Sequence, residues 1–474
     1  MRRRIMGLFA ANMVTFAVVG LSFIAYSKLL SPPEFGLYAV ALSAATLLAL
    51  VLDGGLKTSI IKMEQELSVE QESSIAVLML GVSAVLILAL IALQHPLLSR
   101  HAEIKHDVRF IVLYVGIALF FYPFVTLPTA QLERKLEYGH IAWIESVGMI
   151  LERGAPALFL IWTGAGIYSF VWALILSRIF RTTVLSGFHA IKPWRASLSA
   201  VEKSLGLLRE GGWIQFGMIS SVVRDNLHTL LVGPFFGKEW IGYYAWALQI
   251  CLVSSQLFVQ LASRVSLPIL AQADGFKERW PKCLYQVRLL TILTVPVLCG
   301  VWLSLPAINA HFFHDKWAPA LTLIPLLFLR MVPGVATTPL GPLIMVNRGG
   351  REFALANFLW TMAEIGGGLL LLALVGPTGL AWSYAIVVWP GLWIMLNSLR
   401  NRTTPLTLEV TREMLKRPSV IFAFSTVCVL TVASKIASVS TINAWMTYLV
   451  SLLLILGSYV LEPDLRRLLV HEKA

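Results

Sequence analysis

GPFFGKEWIGYYAWAL, spanning Gly233–Leu248, is the stretch that decides how the chain is read. Its core, WIGYYAWAL (Trp240–Leu248), is echoed 206 residues earlier by EFGLYAVAL (Glu34–Leu42). Gly36, Tyr38, Ala39, Ala41 and Leu42 match Gly242, Tyr244, Ala245, Ala247 and Leu248. Chance agreement in an Ala- and Leu-rich chain is the plainer explanation. Against it, both copies follow an apolar, helix-length segment and open another, as two equivalent halves would. A second echo has a similar period of 212 residues. Glu152 stands twelve residues before Gly164, and Glu364 twelve residues before Gly376.

Composition excludes a soluble domain. Of 474 residues, 57% are hydrophobic and 14% charged, where soluble domains carry about 25% charged residues. The mean hydropathy of +0.75 points to many membrane spans. A net charge of +12 would suit nucleic acid. The basic residues, however, sit in short clusters between apolar runs, as in the cytoplasmic loops of a membrane protein, so no nucleic-acid partner is expected. Cys251, Cys283, Cys299 and Cys428 are scattered through apolar segments and read as packing residues. The basic start MRRR resembles a signal peptide. Its apolar run is too long and lacks a small-x-small cleavage site, so it is read as the first span.

With about 20 apolar residues per span, the first half yields spans near 8–30, 36–60, 75–98, 108–131, 141–162 and 165–188. The second yields 212–236, 240–271, 284–309, 318–346, 353–375 and 377–398, and a last pair follows near 419–436 and 442–461. The expected fold is an all-α integral membrane protein of about 14 transmembrane helices, with two pseudo-symmetric six-helix lobes and a C-terminal helix pair. Its expected segments are an N-terminal lobe (1–190), a linker (191–211), a C-terminal lobe (212–400), a basic loop (401–418) and the terminal pair with its tail (419–474). In the linker, Leu198, Val201, Leu205 and Leu208 share one helical face, as in an amphipathic helix on the membrane surface. Asn401-Arg402-Thr403 matches a glycosylation sequon, a coincidence if that loop is cytoplasmic.

Basic residues orient this bundle. With the N-terminus inside, 23 Lys and Arg fall on the termini and inward loops, against seven outside: Lys28, Arg100, Lys105, Arg109, Lys238, Lys316 and Lys435. Both termini are therefore expected in the cytoplasm.

Charges within spans cost roughly 2.5–3.5 kcal/mol each on insertion scales and default to functional hypotheses. Asp53, Lys57, Arg153, Arg224, Asp225, Arg264, Arg288 and Arg330 are of this kind, and Arg288 and Arg330 are placed to snorkel. At 100° per residue, Asn12, Thr15, Ser22 and Tyr26 share a face of the first span; Ser43, Thr46, Asp53 and Lys57 share one of the second. Gly217, Ser220, Ser221, Arg224 and His228 stripe the seventh span, and Gln249, Gln256, Gln260 and Ser263, with Arg264 beside them, the eighth. Interhelical glue is the plainer role. Stripes that also carry amides and guanidinium groups fit a hydrated cavity better. Asp53 and Lys57, four residues apart, are placed to neutralise each other, leaving Arg224 and Arg264 for an anion such as phosphate. His228 is a candidate for proton coupling, with neutral packing the plainer role.

No Gly-rich nucleotide loop appears, His311-Phe-Phe-His314 has no further ligands nearby, and no nucleophile–base arrangement is recognisable. No cofactor, metal or catalytic residue is expected, and the protein is read as a non-enzyme.

Four segments carry a resemblance: LSPPEFGLYAVALSAATLLALVLDGGL (Leu30–Leu56), LLVGPFFGKEWIGYYAWAL (Leu230–Leu248), SRVSLPILAQ (Ser263–Gln272) and KWAPALTLIPLL (Lys316–Leu327). In this order and spacing the chain resembles the bacterial polysaccharide or O-antigen flippases of the multidrug/oligosaccharidyl-lipid/polysaccharide exporter superfamily. The resemblance implies a two-lobed bundle around a cavity lined by the first helix pair of each lobe. It also implies an oligosaccharide on undecaprenyl diphosphate as substrate, moved by alternating access, with membrane lipids around it and a polymerase and glycosyltransferases as partners. Relatives often carry an acidic residue at His228, an Arg at Pro234 and an Arg at Gln249, so those roles are not carried over. Two rivals remain: a multidrug or small-molecule cation antiporter of the same fold, and a membrane-embedded polysaccharide polymerase or acyltransferase. The antiporter would favour acidic residues deep in the first lobe; the enzyme would favour a long outward loop or buried catalytic His and Asp.

Overall fold

The computed structural model describes residues 17–62, 67–100, 105–135, 137–399, 406–415, 417, 420–421, 423, 426–427 and 444–462. These are helical, without a strand among them. A first helix, α1, covers Ala17–Leu29. The second, α2 (Pro32–Asp53), starts where its sequence says it should. Pro32 and Pro33 occupy the first turn, and the Glu34 carboxylate accepts bonds from the Ser31 N–H (2.8 Å) and hydroxyl (2.7 Å). The chain then breaks at Gly54 and Gly55, whose φ values of 55° and 86° suit only glycine. The expected span 36–60 is thus two helices, α2 and α3 (Leu56–Lys62).

Next come α4 (Val69–Arg100), α5 (Lys105–Arg134), α6 (Tyr138–Thr163) and α7 (Ser169–Phe188). Gly164, left-handed at φ 61°, turns the chain between the last two. The linker stretch is helical from Leu198, but its helix does not end before the seventh span. Leu198–Asp225 is one helix, α8, running from the linker into the seventh span; the side chains of 198–211 lie outside the description. A π-helical turn, His228–Val232, leads into α9 (Gly233–Ala271), which is kinked at Gly237 (φ 82°, ψ 175°).

The remaining elements are α10 (Gly275–Phe313), α11 (Ala318–Leu321), α12 (Ile324–Arg348), α13 (Gly350–Val375), α14 (Gly379–Ser398), α15 (Leu406–Leu415) and α16 (Ala444–Leu461). Helices therefore stand at expected spans one to twelve and fourteen; Val420, Ile421, Ala423, Thr426 and Val427 are helical where the thirteenth was expected. Asn401 lies outside the described residues. Seven of the described stretches are long and apolar enough to cross a membrane, one of them holding both α13 and α14. The chain is an all-α, multi-pass membrane protein.

Two compact units divide it. The first is 1–229 with 237–242, the second 230–236 with 243–474. In the first, α5 packs on α2, α4 and α7, α6 packs on α7, and α8 lies on α2, α3 and α4. The sequence division at 191–211 follows the repeat; this one follows packing, because α8 lies on α2, α3 and α4 and its Gln215 bonds α2. In the second unit α10, α12, α13 and α14 enclose a core that includes Val287, Val295, Ala336, Leu340, Trp360 and Leu392. Both α15 and α16 pack on α10, and the Tyr459 hydroxyl donates to the Leu293 carbonyl (2.8 Å).

Candidate functional site

The second and seventh stripes meet within the first unit, partly as glue. The Ser43 hydroxyl donates to the Asn226 side-chain oxygen (2.6 Å), and the Gln215 amide donates to the Leu50 carbonyl (2.6 Å). Ser220 and Thr46 spend their hydroxyls on carbonyls of their own helices. Arg224 is 7% exposed, and its Nη2 donates to Ser221 Oγ (3.1 Å). His228 is buried in the π-helical turn.

Asp53 and Lys57 do not form their expected pair. The Lys57 ammonium reaches across to Glu133 on α5 (2.8 Å), because the Gly54–Gly55 break ends the helix that would have stacked it on Asp53. Asp53 instead accepts the Gly55 N–H through Oδ2 (3.1 Å), while its buried Oδ1 has no partner.

Of the eighth-span candidates, Gln249 is half-buried in the second unit. Gln256, Gln260 and Arg264 stand on α9 with side chains outside the description, and Asn12 lies outside the described residues altogether.

The larger charged site of the first unit was missed. On α6, Glu145, Gly148 and Glu152 face Ser177, Arg178 and Arg181 of α7. Arg181 approaches Glu145 (3.4 Å) and Glu152 (3.7 Å), Arg178 approaches Glu152 (3.9 Å), and Ser177 donates to the Gly148 carbonyl (2.8 Å). Gly148 makes this possible, since a Cβ there would overlap the Arg181 guanidinium. Beside them, Arg153 Nη1 donates to the Tyr38 hydroxyl (3.0 Å), and the Tyr26 hydroxyl donates to the Arg153 carbonyl (2.7 Å). Tyr38 packs against Phe170 (centroids 4.0 Å apart) and edge-on to Tyr114 (6.0 Å). Two guanidinium groups thus share two carboxylates with a third, Arg153, beside them, a net positive cluster of the kind that holds an anion. The signal was legible as Glu and Gly at i, i+3 and i+7 on one helix, with Arg at i and i+3 on the next.

In the second unit Arg330 does not snorkel. It is buried, 4.1 Å above the Tyr384 ring, so a cation–π contact replaces the headgroups. Arg288 does not snorkel either: within α10 it is bonded to Glu413 of α15 (2.8 Å). Burial pushes the Glu413 carboxyl up, but bonds from Arg288 and Arg417 outweigh it and hold it below the usual glutamate range.

The chain resembles several known proteins. It is 26% identical over 364 residues to the succinoglycan biosynthesis transport protein ExoT of Rhizobium meliloti (strain 1021), covering 75% of this chain and 69% of that protein. It is 22% identical over 358 residues to the teichuronic acid biosynthesis protein TuaB of Bacillus subtilis (strain 168), covering 71% and 69%. The fold matches a structure of the lipid II flippase MurJ in an inward closed conformation, with a TM-score of 0.73 and 14% identity over 96% of this chain and 97% of that one. It also matches an inward-facing multidrug resistance MATE family transporter of the MOP superfamily, with a TM-score of 0.63 and 13% identity over 82% and 96%. The model of the family described as polysaccharide biosynthesis protein matches residues 26–322, more than half of the sequence, and the chain belongs to that family.

Proposed function

We propose that the protein is a flippase that carries undecaprenyl-diphosphate-linked oligosaccharide repeat units across the bacterial inner membrane for polysaccharide biosynthesis. One observation carries this reading: membership of a polysaccharide biosynthesis family coincides with the fold of a lipid II flippase. The chemistry supports it. A diphosphate sugar needs cationic, hydrogen-bonding groups at membrane depth, while its lipid tail stays in the bilayer. The first unit holds Arg224 together with the Arg153, Arg178 and Arg181 group.

Transport proceeds by alternating access between the N-terminal (1–190) and C-terminal (212–400) halves, and no covalent step is required. Arg224 and Arg264 bind the diphosphate, and Lys57, Asn12, Asp53, Gln249, Gln256 and Gln260 add polar contacts to the sugar. His228 is the proton-coupling candidate. Both termini lie in the cytoplasm, and the polymerase and glycosyltransferases of the same assembly line act on either side of the step.

Complementation of a flippase-null strain tests this, reading surface polysaccharide and accumulated lipid-linked precursor. The wild-type gene is expected to restore the first and clear the second, and Arg224→Gln with Arg264→Gln to fail at both while present in the membrane. Full activity of that double variant would remove the two arginines from the site; failure of the wild-type gene in strains carrying each candidate polysaccharide would sink the function.

A further inference from the structure

The opening repeat is a contact as well as an echo. Gly36 of α2 and Gly242 of α9 lie against each other in the first unit. A Cβ on Gly36 would overlap the Lys238 carbonyl oxygen and lie 2.8 Å from the Gly242 nitrogen. A Cβ on Gly242 would overlap the Pro32 carbonyl oxygen and lie 3.2 Å from the Gly36 nitrogen. Each glycine thus rests on the carbonyl four residues before its counterpart. The contact is reciprocal, made by equivalent positions of the two copies.

Backbones approach this closely only where both residues lack a side chain, and carbonyl oxygens then meet Cα hydrogens. Beside the pair, the Lys238 ammonium bonds the Asp107 carboxylate at the start of α5 (2.7 Å). Ser43 stands on the Gly36 face of α2, seven residues further in and about 10 Å along the helix, where it bonds Asn226.

We infer that Gly36 and Gly242 form a backbone seal at the outward ends of α2 and α9 within the first unit, with Asp107–Lys238 as its latch. This rests on the orientation proposed above, which places the N-terminal ends of α2, α5 and α9 outside. α9 joins the two compact units at this point. Its residues 237–242 pack with the first unit, while 233–236 and everything from Tyr243 onward belong to the second. A hinge-free seal of this kind opens by separating two smooth helix surfaces, without breaking any hydrogen bond at the glycines. The ion pair supplies a modest bias: Lys238 is half-exposed, and such pairs contribute little.

The test reads access without any substrate. A single cysteine at Ser43, in full-length chain with its own cysteines replaced, is exposed to a membrane-impermeant maleimide from outside intact cells. Thr163→Cys, at the outward end of α6, is the orientation control. Gly36→Leu and Gly242→Leu are each expected to speed labelling at Ser43→Cys by about tenfold, the ratio that corresponds to about 1.4 kcal/mol of population shift. Unchanged labelling in both, with the control labelled and the protein at wild-type abundance, would overturn the seal.

If neither leucine variant reaches the membrane, Lys238→Asp decides, because it leaves both glycines in place. It should speed labelling about threefold, and Asp107→Lys in the same chain should reverse the effect. No change in either direction overturns the latch and the seal together. If Thr163→Cys labels only from inside, the orientation is reversed, and the same comparison from the other side decides the seal.

Discussion

Helix pairs α6/α7 and α13/α14 occupy equivalent places in the two halves, yet they fill their interiors in opposite ways. Gly148 and Trp360 stand four residues before the matched Glu152 and Glu364. In the first pair the small residue is on the leading helix, and the space it leaves is taken by Arg181, which approaches two carboxylates. In the second pair the large residue is on the leading helix. Trp360 lies over Gly391 of α14, where a Cβ would overlap its ring, and its Nε1 donates to Glu364 (3.3 Å).

The repeat tyrosines divide in the same way. Tyr38 accepts a bond from a guanidinium, whereas the Tyr244 hydroxyl donates to the Pro377 carbonyl (2.7 Å) and accepts the Ala381 N–H (2.9 Å). One half commits this position to charge, the other to aromatic packing and backbone. Charge is the costlier filling in a membrane, and a chain that keeps it there has a use for it.

Gly148→Leu should show the largest effect. It evicts Arg181 from its carboxylates and leaves charges unpaired, at about 3–5 kcal/mol, read as loss of thermal stability in detergent. Gly391→Leu only forces Trp360 aside, an overpacking that costs about 1–3 kcal/mol. Equal losses for the two variants would break the contrast between charged and aromatic interiors.

Tyr38→Phe and Tyr244→Phe should each cost about 1–3 kcal/mol, by leaving buried polar groups without a partner. Their consequences differ: only Tyr38→Phe is expected to lower flipping per molecule, since it disturbs Arg153. The same loss of flipping from Tyr244→Phe would erase the distinction.

The smallest effect belongs to an ion pair placed outside the spans. Glu413 is held below the ordinary glutamate value of about 4.3. Its contribution is complete above that value and is lost as pH falls through its lowered value in the folded protein. Amides of Leu406–Leu415 should therefore exchange with solvent at an unchanged intrinsic-corrected rate from pH 7 to about 5 and faster below about 4. Glu413→Gln should exchange fast throughout; protection unchanged across the whole range would show that α15 is held by Val410 and Met414 alone, both fully buried.

The span pattern was legible because a bilayer demands about 20 apolar residues in every crossing, and that demand is written locally. Helix breaks were less so. Gly54–Gly55 was visible as a dipeptide, but nothing local said that Lys57 would turn from Asp53 to Glu133, 76 residues away. The α8 helix likewise absorbed the linker, since its amphipathic turn and its apolar run share one helical period. Among the stripe residues Ser43 serves packing, and the charged group around Glu152 was passed over because its members are split between two helices.

By itself, then, the sequence determined an all-α membrane protein, its repeat, its family and the charges it carries into the membrane, since hydropathy and spacing are properties of short stretches. Only the tertiary structure decided which charges meet, that Gly148 exists to seat Arg181, and that Gly36 and Gly242, 206 residues apart, touch. Those facts depend on which helices become neighbours, and neighbours are chosen by the packing of the whole chain.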